Sequence, residues 1–121
     1  MNVFIIEQKF NPGWEPDEDD KYSEHFIALD NEKIIATVRV REISKNEYKI
    51  ERMAVMKEYR TKGVGNGLIN HLLNYISNKN PKKIWLRSQL RSKNFYLKCG
   101  FKETSEPFDM YGVMHIDMEH V

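Results

Sequence analysis

Residues 58–67 read EYRTKGVGNG, set between the apolar run IERMAV (50–55) and the periodic stretch LINHLLNYI (68–76). Gly63, Gly65 and Gly67 fall at alternate positions, with Arg60 and Lys62 beside them. Glycines this dense mean that the backbone takes conformations closed to other residues, or that something approaches it closely. A strand, a glycine-rich turn and a helix start together make an anion site. The first-turn N–H groups have no intrahelical acceptor, and the helix dipole adds partial positive charge there. A P-loop is excluded, because Gly67 is followed by Leu68 rather than a Lys-Ser/Thr pair. A dinucleotide fingerprint fails as well, since its third glycine would fall at position 68. A ligand-free turn is the alternative that physics alone leaves open.

Upstream of the loop, HFIAL (25–29), IIATVRVREI (34–43) and YKIERMAV (48–55) are separated by the turn formers DNEK and SKNE. They read as an antiparallel meander. Ile35, Thr37, Arg39 and Arg41 alternate with Ala36, Val38 and Val40, the pattern of a half-buried strand. Downstream, Leu68, Ile69, Leu72, Leu73 and Ile76 make one apolar helix face that ends before Pro81, and His71 falls off that face. KIWLRS (83–88) reads as a strand, and LRSKNFYLKCG (90–100) as a short helix closed by Gly100. The remaining stretch reads as two strands around a turn near Pro107 to Gly112. The opening NVFIIEQKF is ambiguous between helix and strand, and the five acids between Glu15 and Asp20 read as a solvated loop, with attraction of a cationic substrate as the alternative. One α+β domain over residues 1–121 is expected.

A formal net charge of +1 supplies no field to recruit nucleic acid or an acidic membrane. No apolar run approaches the roughly 18 residues of a membrane span. The single cysteine, Cys99, cannot form an internal disulfide, which points to a reducing, cytoplasmic setting. No metal is expected.

RTKGVG (60–65) also has the pattern Arg/Gln-x-x-Gly-x-Gly, and here the chain resembles the GCN5-related N-acetyltransferase (GNAT) family. KIERMAVMKEYRTKGVGNGLINHLL (49–73) is similar to the family's core strand, loop and helix, and NFYLKCGF (94–101) to its second signature. FDMYGVMHIDM (108–118), with VFIIEQKF (3–10) and EHFIAL (24–29), resembles the small bacterial ElaA/YjcF-like branch. The resemblance covers nearly the whole chain. It implies a mixed, mostly antiparallel sheet flanked by helices, and direct transfer of an acetyl group from acetyl-CoA to a primary amine. A non-catalytic acyl-CoA-binding module is the alternative.

Carried onto this sequence, the resemblance implies that backbone N–H groups of Arg60, Thr61, Lys62, Gly63, Val64, Gly65 and Asn66 take the CoA pyrophosphate. It implies that the pantetheine arm lies like an extra strand along Met53, Ala54 and Val55. Gln89 stands where the family usually has asparagine, and a longer amide can make similar bonds. Tyr96 is expected to stabilise or protonate the departing thiolate, with Phe95 as its packing neighbour. Glu51, two residues before Met53, is expected on the same side as that residue, as a base acting through water or as a surface carboxylate. His115 lies near the acceptor pocket in the resembling branch, as a structural residue or a base. Arg39 matches a strand arginine that would hold an acceptor carboxylate. Cys99 is read as a packed thiol.

Family members usually carry a strand and a helix ahead of the segment resembling VFIIEQ, whereas only Met1 and Asn2 precede it here. The sheet is therefore expected to lack its first strand and to leave one meander edge open. Self-association as a two-fold homodimer would shield that edge. The alternative is that residues 1–10 fold back and close it within one chain.

Overall fold

The computed structural model describes residues 2–8 and 23–120. The acidic cluster between Glu15 and Asp20 lies outside them. The described strands are β1 (Val3–Gln8), β2 (Ser23–Asp30), β3 (Lys33–Ser44), β4 (Glu47–Val55), β5 (Lys83–Gln89), β6 (Phe101–Glu103), β7 (Phe108–Met110) and β8 (Val113–His120). Two α-helices, α1 (Val64–Ser77) and α2 (Lys93–Lys98), and two single 3-10 turns, Lys57–Tyr59 and Leu90–Ser92, complete the described elements. The strands form one mixed sheet in the order β1-β2-β3-β4-β5-β8-β6, with β7 also on β8. Only β4 and β5 run parallel; the other pairs are antiparallel.

The meander follows from its turns. Asn31 and Asn46, between β2 and β3 and between β3 and β4, have φ of 55° and 61°. Asparagine tolerates this left-handed region because its short amide bonds locally to the backbone. The parallel β4–β5 pair needs a crossover, and α1 supplies it. Leu68, Ile69, Leu72 and Ile76 on α1 are fully buried with Phe26, Val38, Ile50, Ile116 and Met118. Truncating any one of these leucines to alanine would cost about 2–5 kcal/mol. His71 does lie on the exposed side, although its ring meets Phe26 edge-on at 5.6 Å.

The structure decides one alternative that the sequence left open and departs from the sequence reading in two further places. The opening segment is a strand: β1 pairs with β2 from Val3↔Asp30 to Gln8↔His25, so the meander edge is closed within the chain. Val3 and Ile5 turn to the core, while Phe4 and Ile6 remain 55% and 45% exposed. The middle of β3 is buried on both faces, with Ile35 fully buried and Arg39 only 4% exposed. The last segment forms three strands rather than two. Ser105 Oγ accepts the Asp117 N–H and Thr104 N–H donates to Asp117 C=O, and the chain leaves β8 around Pro107, which has no N–H to give a ladder.

Both helices pack on one face: Tyr96 of α2 joins the buried cluster that α1 fills. The opposite face carries Arg39, Glu51, Trp85, Arg87 and His115, whose neighbours in sequence, such as Val38, Ile50, Leu86 and Ile116, point to the core.

Candidate active site

The site begins where the parallel pair ends. β4 and β5 are in register from Glu47↔Lys83 to Ile50↔Leu86, and beyond that point no ladder joins them. β4 bends there at a bulge against β3, between the Arg39↔Glu51 and Thr37↔Ala54 pairs. Arg52 at this bulge has φ of 53°, a conformation that costs a non-glycine residue roughly 1 kcal/mol or more. The parted strands leave a cleft of about 1110 Å³. Its lining includes Gly65, Phe95 and Tyr96 from the helix side and Glu51, Arg87 and His115 from the opposite side, so it passes through the sheet.

Backbone groups of β4 face this gap. Met56 N–H donates to Ile35 C=O at 2.8 Å, toward β3. Because strand groups alternate in direction, Val55 and Met53 point theirs the other way, into the cleft. The Val55 carbonyl accepts from Arg60 Nε at 3.1 Å, which ties the glycine loop to the strand.

The loop itself is anchored from two sides. Tyr59 O–H donates to Asp30 at 2.6 Å, and Lys62 and Lys33 lie over the Tyr59 ring at 5.9 and 5.7 Å. Thr61 has φ of 68°, strained for a β-branched residue, and Gly63 has φ of 80° at the helix N-cap. The first backbone bond of α1 runs from Gly67 N–H to Gly63 C=O at 2.9 Å. The N–H groups of Val64, Gly65 and Asn66 therefore have no acceptor within the helix. They sit at the end of the cleft where Arg60, Thr61, Gly63 and Lys98 also line it.

The three glycines have different reasons. Gly63 is needed for its conformation, since a Cβ there would meet nothing within 4 Å. Gly65 is needed for room: a Cβ would come within 3.1 Å of Phe95 and 3.3 Å of Met53. Gly67 has neither constraint.

Tyr96 reaches the cleft from α2, held edge-on between Phe95 at 5.0 Å and Phe101 at 5.9 Å. Its hydroxyl has no hydrogen-bond partner among the described residues. Burial, with a smaller contribution from Cys99, pushes its pKa up to about 12, so the phenol keeps its proton throughout the physiological range. Cys99 is a buried thiol whose pKa burial also raises, with Sγ 3.4 Å from Asn66 Oδ1, as the packed-thiol reading expects.

Glu51 is brought to the cleft, but not on the side of Met53. The bulge at Arg52 turns Met53 to the core, against Gly65, and leaves Glu51 facing Arg39 on the opposite face. Both carboxylate oxygens are committed. Oε2 accepts from Arg39 through Nε at 3.0 Å and through the terminal nitrogen. Oε1 accepts from Arg41 at 2.7 Å, with Lys49 at 3.5 Å. Burial alone would raise the Glu51 pKa, but the bonds from Arg41 and Arg39 outweigh it and hold it below the usual carboxylate value. A carboxylate held this way is a poor proton acceptor. Arg39 is correspondingly buried against Glu51 and does not line the cleft, so the geometry gives it no reach to an acceptor carboxylate.

His115 does line the cleft, opposite Gln89 in the β5–β8 ladder and stacked on Phe108 at 6.2 Å. Its Nδ1 is 2.8 Å from Val113 C=O. A carbonyl can only accept, so Nδ1 is the donor there, and in the neutral ring Nε2 is left with the lone pair. Of the other expected residues, Met53, Ala54, Val55, Arg60, Thr61, Gly63, Gly65, Asn66 and Gln89 line the cleft, whereas Lys62 lies over Tyr59 and the Val64 side chain is in the core. Arg87, Arg91, Ser92 and Lys98 line it without having been singled out. For Lys98 a signal existed, a cation two residues after Tyr96; for the others only the parting of the strands reveals them.

The sheet is thus split between its two parallel strands, with a helix N-terminus at the end of the split, and comparison with known proteins gives this arrangement its class. The chain belongs to the acetyltransferase (GNAT) domain family, whose model matches residues 3–121. It is similar to the uncharacterized N-acetyltransferase YjcF of Bacillus subtilis (strain 168), 33% identical over 118 residues that span 96% of this chain and 83% of that one. The crystal structure of Escherichia coli ElaA superposes with a TM-score of 0.77 at 26% identity, over 87% of this chain and 74% of that one. The fold is also that of a GNAT family acetyltransferase from Elizabethkingia anophelis with acetyl-CoA bound: TM-score 0.73 and 22% identity, covering 98% and 95% of the two chains.

Proposed function

We propose that the chain transfers an acetyl group directly from acetyl-CoA to a primary amine. The observation that carries this reading is the parting of β4 from β5 beyond Ile50 and Leu86, which leaves strand backbone with no ladder partner beside a helix N-terminus that no side chain caps. A pantetheine arm has amides that can complete such a strand, and a pyrophosphate suits three free N–H groups with Arg60 and Lys98 nearby. The residues present fit CoA on its own terms: Gly63 leaves open space where a side chain would stand.

Bound acetyl-CoA supplies an activated acyl carbon; the chain supplies position and charge stabilisation. The amine nitrogen forms a bond to the acyl carbon, the C–S bond breaks, and charge collects on sulfur. Tyr96 O–H is the group offered to that sulfur. With a pKa of about 12, against roughly 8.5 for a thiol, full proton transfer would be uphill by about 5 kcal/mol. Tyr96 therefore acts as a hydrogen-bond donor to the thiolate rather than as its acid. The amine proton goes to His115 Nε2, whose partner nitrogen is fixed by Val113. Glu51 serves as the anchor of Arg39 and Arg41 on the cleft wall.

Thermal melting with CoA tests the reading. Ligand at a hundred times its Kd should add about 2.7 kcal/mol, on the order of 10 °C for a domain this size. No shift at millimolar CoA would overturn it. Free-thiol release across a panel of amines then reads the transfer itself.

A further inference from the structure

Beside the cleft lies a smaller cavity of about 340 Å³, lined by Gln89, Leu90, Arg91, Val113 and Met114. Gln89 and Arg91 line both spaces, so the two adjoin at the end of β5. Val113 and Met114 open β8 just before His115, and His115 faces Gln89 across the ladder. The small cavity is thus next to the group proposed to take the amine proton.

Its chemistry is unusual for a surface. Val113 and Met114 are each 43% exposed, and Leu90 lines the same cavity, so three apolar residues border a space open to water. Arg91, in the single turn Leu90–Ser92, lines the same space. Its guanidinium has no carboxylate partner among the described residues. Arg87, two strand positions before Gln89, is different: it is held by Asp117 through bonds of 2.7 and 3.1 Å. Among the described residues lining the two cavities, Glu51 is the one carboxylate, against Arg52, Arg60, Arg87, Arg91 and Lys98. Arg39 and Arg41 already occupy that carboxylate. Among the described residues, a polycationic acceptor would meet a positively charged lining with no uncommitted acid to receive it.

We propose that Arg91 and the apolar group Leu90, Val113 and Met114 form the acceptor subsite, and that the acceptor is an apolar α-amino acid. Its carboxylate would take the planar donors of Arg91, its side chain would cover Val113 and Met114, and its amine would face His115. This rests on the acetyl-transfer reading for the reaction, though not for the binding.

The test compares methionine and leucine with their carboxamides, their decarboxylated amines and spermidine, using thiol release by the full chain with acetyl-CoA. The expected result is a kcat/KM at least tenfold higher for each acid than for its amide. In Arg91→Ala that ratio should collapse toward one, and in Arg91→Glu it should invert. Spermidine as the best acceptor, or an unchanged ratio in Arg91→Ala, would overturn the proposal. Titration of N-acetylmethionine against N-acetylmethioninamide, without CoA and followed by NMR, keeps the two readings apart. Arg91-dependent preference for the acid supports the subsite even where no amine releases thiol, and equal binding of both overturns it even where transfer occurs.

Discussion

Glu51 and Met53 lie two residues apart on β4 yet face opposite sides of the sheet, because the left-handed Arg52 between them inserts a bulge. Regular alternation would put both on one side. The bulge instead delivers the Met53 side chain to Gly65 and the Glu51 carboxylate to Arg39 and Arg41. It also bends β4 away from β5 where the cleft opens. One backbone irregularity thus separates a packing role from an electrostatic one.

Glu51→Gln should therefore act on stability more than on chemistry. Removing the carboxylate leaves Arg39, almost fully buried, facing a neutral amide, which should cost about 1–3 kcal/mol, less than deleting a fully buried partner. Because its folded pKa is depressed, the ionised Glu51 contributes stability above its unfolded pKa, and that contribution is lost as pH falls through the folded value. Urea melts between pH 3 and 7 should show wild type and variant converging at the acid end. A kcat loss beyond about tenfold in a folded variant would restore Glu51 as a base.

The glycine loop gives a ranked series. Gly67→Ala should stabilise by about 0.5–1 kcal/mol, since the position is helical, open and unstrained. Gly63→Ala should destabilise by about 1–2 kcal/mol, because φ of 80° places its Cβ against the backbone. Gly65→Ala should fall between them, with helix propensity gained and contact with Phe95 tightened. Thermal melts of the three variants check the order; a stabilised Gly63→Ala would mean the loop takes another conformation.

These contrasts mark how much could be read in advance. Local periodicity was enough for α1 and the meander, because Leu68, Leu72 and Ile76 need only a helix to share a face, and Asn31 and Asn46 need only a turn. The anion cradle was legible for the same reason: glycine and cation spacing report backbone geometry directly. What escaped depends on pairs distant in the chain. Nothing near Arg52 marks a bulge, nothing near Arg91 shows that Val113 and Met114 stand beside it, and Gly65 reveals its purpose only when Phe95 is brought against it. The opening segment stayed open between two readings, because VFIIEQ alone does not say that β2 will receive it.

Tyr96→Phe separates catalysis from packing. Losing a hydrogen bond made to the developing thiolate should lower kcat by about tenfold to a hundredfold, with CoA affinity nearly unchanged. The same hydroxyl has a stability signature at alkaline pH. Its folded pKa is raised, so its contribution is complete below the unfolded value near 10 and is lost as pH rises toward about 12. Between those limits about 2.7 kcal/mol of wild-type stability disappears, and Tyr96→Phe should not lose it. Denaturant melts at pH 8 and pH 11 would show the variant gaining on wild type; parallel losses in both would mean that the Tyr96 hydroxyl is solvated.

His115→Gln tests where the amine proton goes. Glutamine keeps a polar group in the cleft and can still bond Val113 C=O, but it has no nitrogen lone pair of useful basicity. Positioned proton acceptors contribute typically 10²–10⁴-fold, so kcat/KM should fall by at least a hundredfold at neutral pH, with the CoA-induced thermal shift retained. The loss should shrink as pH rises, because an amine deprotonated in solution no longer needs the imidazole. His115→Asn offers a second check, since its shorter amide alters packing on Phe108 without restoring basicity, and both variants should show the same pH-dependent rescue. A His115→Gln enzyme that keeps its neutral-pH rate would instead mean that the amine arrives already neutral and that Phe108–His115 stacking shapes the wall of the cleft.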